Sequence, residues 1–224
     1  MSAISSTLAL IRKDVHSELR TRYALNALLM FVVTAVSTIV FALRSDQPTS
    51  SVLSGLYWVV VFFTAMSGLS RTFVSEEERG TTMTLQLVAT PSTVYFAKLL
   101  FNTALTFALT IAVTILYMTV FSNAFVIKTM SIFIGTVVLG SLGFASASTI
   151  IAAIVAKANT RGTLYPVLSF PILIVLLMTV MGATTKALDG EELSSALGDF
   201  QILVGYILAM TGGSYLLFDY VWKD

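Results

Sequence analysis

Six apolar runs free of any Asp, Glu, Lys, Arg or His constrain this chain more than any other feature. They extend from Ala24 to Leu43, Val52 to Leu69, Leu99 to Phe121, Met130 to Ala156, Thr163 to Ala183 and Phe200 to Phe218. A helix rises about 1.5 Å per residue, so about 20 residues match a hydrocarbon core about 30 Å thick. With 56% hydrophobic and 11% charged residues and a mean hydropathy of +0.88, the 224-residue chain carries more apolar surface than one soluble core can hide. The expectation is an all-α integral membrane protein: residues 1–22 as an N-terminal amphipathic interfacial helix, then six transmembrane helices in a single domain, 23–224. From Leu99 to Ala156 is too long for one span, so a short turn near Asn123 to Lys128 must divide the third run from the fourth.

Lys and Arg in the loops set the orientation. Arg12, Lys13, Arg20, Arg22, Arg71, Arg79, Lys98, Lys157, Arg161 and Lys223 fall on one side and Arg44, Lys128 and Lys186 on the other. Ten against three predicts both termini in the cytoplasm, with the acidic "KALDGEELSSALGD" facing outward. The first 22 residues carry positive charge without an apolar h-region, which reads as an uncleaved anchor.

Several chemistries are disfavoured by what the runs lack. Proton-coupled transporters, pumps and voltage sensors need ionisable groups at membrane depth. No G-x-x-x-x-G-K-[ST] occurs and no glycine is followed by lysine, so ATP hydrolysis would require a partner subunit. One histidine, His16, cannot supply a two-His zinc motif, and zero cysteines rule out thiolate metal sites, disulfides and cysteine-attached haem. Membrane-embedded Ser and Thr appear without G-x-S-x-G or a companion base, so they read as packing and backbone-satisfying residues. The chain is expected to be no enzyme, with neither catalytic residues nor a metal site.

Four stretches carry positive information. In "TLALIRKDVHSELRTR", Leu8, Ile11, Val15 and Leu19 recur at helical spacing among basic residues, as in a helix lying on a membrane surface. The loop at 71–98 holds Glu76, Glu77, Glu78 and Arg79, which at the bilayer centre would cost roughly 10 to 14 kcal/mol together and so belong in water. Ser75 can cap a helix whose first turn holds the acids, Gly80 interrupts, Thr81 or Thr82 can cap a second short helix carrying Met83, Leu85 and Leu87, and Pro91 stops it. An acidic head, a glycine hinge and an apolar patch suit a docking element; a merely solvated loop is the plain alternative. In the fourth run Gly140, Gly143 and Ala147 form a small-residue stripe that lets helices approach closely, with a subunit interface or a substrate path as the sharper alternative. Pro166 falls in the first turn of the fifth run, and Pro171 lies deeper, where it is expected to kink the helix.

Together, "ALIRKDVHSELRTRYALNALLMF", "GLSRTFVSEEERGTTMTLQLVATPSTVYFAKLLFN", "GSLGFASASTIIAAIVAKANTRG" and "LYPVLSFPILIVLLM" resemble the CcmB family, the B subunit of the haem exporter of cytochrome c maturation. The resemblance implies an ABC exporter permease of type-2-like architecture in the bacterial inner membrane. It implies a separate cytoplasmic ATPase, a haem-handling membrane protein, a small single-span subunit and a dimer of permease subunits as partners, and no nucleic acid. It also implies a role in haem export or release of a haem-loaded chaperone. ATP would be bound by the partner and haem handled through the complex, since the one histidine is expected in the cytoplasm. On this reading the 71–98 loop couples to the ATPase, with Glu76, Glu77, Glu78 and Arg79 supplying charge, Met83, Leu85 and Leu87 the buried anchor, and Gly80 and Pro91 the hinge and stop. An ABC permease for another cargo, such as a lipid, drug or polysaccharide, and a non-transporting membrane scaffold stay open beside it.

Overall fold

The structure is a computed structural model that describes residues 3–20, 22–43, 48–78, 80–157 and 161–223. Those residues fold into nine α-helices and one short 3-10 helix, with no strand among them: α1 (Ala3–Arg20), α2 (Arg22–Ala42), α3 (Ser50–Leu69), α4 (Arg71–Glu78), α5 (Thr82–Val88), α6 (Pro91–Val120), α7 (Met130–Lys157), α8 (Arg161–Asp189), the 3-10 turn Leu193–Ala196, and α9 (Leu197–Lys223). Five of the helical segments, Ser50–Val74, Pro91–Val120, Met130–Lys157, Val167–Asp189 and Leu193–Trp222, are long and apolar enough to cross a membrane, and a shorter apolar stretch occupies Asn26–Ala42. The turn expected near Asn123 to Lys128 separates α6 from α7.

Helix boundaries follow local chemistry. Thr49 caps α3 by accepting from the Val52 N–H at 3.4 Å. Gly190 ends α8 at φ +84°, and the Glu191 N–H returns to the Lys186 carbonyl at 3.0 Å, the Schellman closure that favours glycine. α5 ends at Val88, ahead of Pro91, and the same proline also opens the 30-residue α6 behind its N-cap Thr90. A proline in the first turn gives up an N–H that had no helical partner, so it initiates as readily as it terminates. The backbone of α8 stays helical through both Pro166 and Pro171. Hydroxyls along the apolar helices turn back on their own carbonyls, as in Thr106 to Asn102, Thr110 to Thr106 and Thr136 to Ile132 at 2.8 Å each, which removes unpaired donors from a greasy surround.

At the centre of the bundle is α7. Every residue from Gly143 to Ala153 is buried, and α3, α4, α6, α8 and α9 all pack against this helix. Small residues make that possible. A Cβ on Gly140 would lie 2.7 Å from the Trp58 ring and one on Gly143 would lie 2.5 Å from Leu176, while Ala147 is fully enclosed. Trp58 donates its indole N–H to the Thr184 hydroxyl at 2.8 Å and stacks on Phe144, so it holds α3, α7 and α8 together. Trp222 is buried too, stacked on Phe218 at 5.6 Å.

At the end of the bundle formed by the α6–α7 turn and the α8–α9 connection, the Lys128 and Thr129 N–H groups donate to the Ala187 carbonyl at 3.1 and 3.0 Å. Lys186 pairs with Asp199 at 2.8 Å and donates to the Ser195 carbonyl at 2.9 Å, so the acidic connection is tied back onto the bundle.

Candidate functional site

The opposite end of the bundle holds the stretch with the most unusual sequence. The helical path of α3 continues past Ser70, whose backbone is αR, into α4, so Ser75 lies inside a helix and not at its start. The glutamates therefore sit in the last turn of α4, where the helix dipole opposes negative charge, the reverse of the first-turn placement expected from Ser75 and Glu78. Helical backbone is described for Glu77 and Glu78, but their side chains, like all of Arg79, lie outside the described residues. Gly80 closes the helix at φ +64°, and the Thr81 N–H returns to the Glu76 carbonyl at 3.0 Å, a second Schellman closure. The chain thus makes an elbow from α4 into α5 at the glycine expected to be a hinge.

Glu76 is not in water. The residue is 6% exposed, and its carboxylate is bonded on both oxygens. Oε1 receives the Lys13 ammonium of α1 and, at 3.2 Å, the Lys98 ammonium of α6; Oε2 accepts from the Thr81 hydroxyl at 2.7 Å, where α5 begins. Lys98, 3% exposed, also pairs with Asp14 of α1 at 2.9 Å and lies 5.7 Å from the centroid of the Phe73 ring. Lys13 closes the set at 3.5 Å from Asp14. Two lysines, buried Lys98 and the half-exposed Lys13, balance two buried carboxylates, the condition for burying the latter without an uncompensated charge. Burial alone pushes the Glu76 carboxyl up, but the Lys98 charge and the hydrogen bonds from Lys13 and Thr81 outweigh it and hold the group at about 2.

A hydrogen-bonded chain continues this seam one turn further along both helices. The Thr72 hydroxyl donates to the Asn102 side-chain carbonyl at 2.9 Å, the Asn102 amide donates to the Thr149 hydroxyl at 2.9 Å, and Thr149 donates to the Ala145 carbonyl at 2.6 Å. Thr72 and Glu76 of α4 face Asn102 and Lys98 of α6, each pair four residues apart and so on one helical face. Beyond the elbow, α5 is tied by Gln86, which donates to the Trp222 carbonyl of α9 at 2.5 Å. Leu85 packs against the core, whereas Met83, Leu87 and Val88 are 78%, 89% and 79% exposed.

The loop residues therefore divide. Met83 and Leu87 present an open apolar face, Leu85 serves the fold, Gly80 makes the bend, and Glu76 is held inside the chain by cations that leave it nothing to offer an outside partner. Asp14, Lys98 and Asn102 belong to this seam although sequence reading gave them no part in it, and Thr81, read as a helix cap, binds the Glu76 carboxylate as well. Lys98 had a signal, a cation one residue before the apolar run that begins at Leu99, but Asp14 is set in a polar stretch where nothing marks it. In α1 the bundle side holds Leu10 and Asp14, while Leu8 and Val15 point away from it.

These features define a class: an all-helical, multi-pass membrane protein with a short apolar helix held beyond its bundle on a buried polar seam. The chain belongs to the CcmB family, described as CcmB protein, whose family model matches residues 5–217. That family is the permease component of an ABC transporter for haem in cytochrome c maturation, and with five membrane-length helices it marks a multi-pass protein of the inner membrane. A comparison with curated proteins returns no match.

Proposed function

We propose that this chain is a six-span permease subunit, with α2 as the sixth span and both termini cytoplasmic, that receives the work of a separate cytoplasmic ATPase through α5. The observation that carries this reading is the open face of Met83, Leu87 and Val88 on a helix of seven residues. Three large apolar side chains on so short a helix, flanked by the charged end of α4, suit the buried centre of a protein interface. The chain has no P-loop of its own, which agrees with an energy source in another subunit. Two copies would complete the usual membrane unit, and a haem-handling membrane protein with a small single-span protein would complete the complex. The cycle of the ATPase then drives haem export or release of a haem-loaded chaperone.

Affinity capture of the chain from detergent-solubilised native membranes tests this. Wild type should bring down a P-loop ATPase, and Met83→Asp combined with Leu87→Asp should lose it while inserting at a normal level, because two charges in a desolvated interface cost several kcal/mol. Undiminished capture by the double variant would remove α5 as the docking element.

A further inference from the structure

The elbow is bonded by residues from four segments of the chain. The Glu76 carboxylate takes Lys13 from α1 and Lys98 from α6 on one oxygen and the head of α5, through Thr81, on the other. Lys98 reaches on to Asp14, so α1 is held twice, once through each carboxylate. We infer that Asp14, Glu76 and Lys98 are positioning residues forming a polar latch that locks α1, the α4–α5 elbow and the entrance of α6 into one rigid unit. Displacement of α5 by a partner is thereby passed to the surface helix α1 and into the membrane through α6. The inference rests on α5 being the docking helix, but the latch itself is a property of this chain alone.

Apolar packing alone does not set this geometry. The side of α1 facing the bundle holds Asp14 beside Leu10, while Leu8 and Val15 point away, so charge pairs act beside the apolar contact of α1. The attachment is directional, because an ammonium paired with two carboxylates fixes a geometry that a sliding Leu contact does not. The cost of desolvating the three buried groups, Asp14, Glu76 and Lys98, is met only while they stay together, with half-exposed Lys13 completing the charge balance, so the latch is either closed or open, with little in between. Phe73, beneath Lys98, packs tilted against Phe218 and edge-on to Trp222, and Trp222 is the residue that Gln86 of α5 holds by its carbonyl. The same unit therefore reaches α9.

The absence of cysteine allows spin labels at chosen positions only. Labels at Ala9→Cys on α1 and Thr84→Cys on α5, both exposed, report the α1–α5 distance in the full chain by pulsed electron resonance. The informative variant is the neutral triple Asp14→Asn, Glu76→Gln, Lys98→Met, which removes the pairs and leaves no buried charge behind; Lys98→Arg keeps the charge. The triple should insert and still capture the ATPase, yet lose the narrow distance peak and lose cytochrome c maturation, while Lys98→Arg keeps both. A triple that retains the narrow peak and full maturation overturns the latch. So does a triple that fails to accumulate, since the cluster would then serve folding alone. Loss of ATPase capture by wild type would count against docking through α5 and leave the distance measurement to judge the latch separately.

Discussion

At the scale of single residues, the buried seam between α4 and α6 is where small chemical changes should have the largest effects. The folded Glu76 carboxyl sits at about 2 against an ordinary 4.5, so its contribution is fully present above 4.5 and is lost as pH falls through about 2. Label mobility on α1 should therefore be flat from neutrality down to the ordinary carboxyl value and rise only within that acid window, unless Lys13, Lys98 and Asp14 do not hold the helix, in which case release would come earlier. Asn102 is bonded on both ends of its amide. Asn102→Leu leaves Thr72 without its acceptor and Thr149 without its donor, and should lower stability by roughly 1 to 2 kcal/mol in a reversible detergent unfolding assay. Asn102→Leu unfolding as wild type would show that water or backbone takes over those bonds. Residue identity alone did not reveal this seam. Glu76, Glu77 and Glu78 look alike in sequence, and only the fold shows that the Glu76 carboxylate is buried between Lys13 and Lys98.

Among the elements, α7 was the most legible and the α4–α5 elbow the least. A stripe of Gly140, Gly143 and Ala147 means close approach wherever it occurs in a membrane helix, and α7 is the helix on which the others pack. The two glycines are not equivalent, because their neighbours differ in stiffness. Leu176 can rotate away from a methyl group at 143, but the Trp58 ring next to 140 is pinned by Thr184 and Phe144. Gly140→Ala should therefore reduce folded yield more than Gly143→Ala, measured by size-exclusion chromatography of the solubilised protein, with Gly143→Leu failing as well. Equal tolerance at the two positions would mean that α3 shifts to make room. The elbow was harder to read because its helix starts earlier than its cap signals suggest. Ser75 and Glu78 resemble a capping box, but α4 inherits its register from α3 and runs through them to Gly80, so the acids end a helix instead of beginning one.

For the whole molecule, hydropathy was enough to read the helical class and most of the membrane segments, because a charge-free run of about 20 residues has few other places to go. It could not show that a polar stretch before the first run and a loop after the second would meet over Lys98, since contacts between Lys13 and Glu76 join positions 63 residues apart. The resulting molecule is a packed bundle whose far end carries the Lys186–Asp199 pair and whose near end presents one short apolar helix beside a buried charge cluster. On the proposed function, α5 meets a nucleotide-hydrolysing subunit. A photo-reactive amino acid at Leu87, activated in native membranes, tests that contact directly. The expected product is an adduct between this chain and a P-loop ATPase; adducts formed only with lipid, in membranes where the ATPase is present, would contradict it.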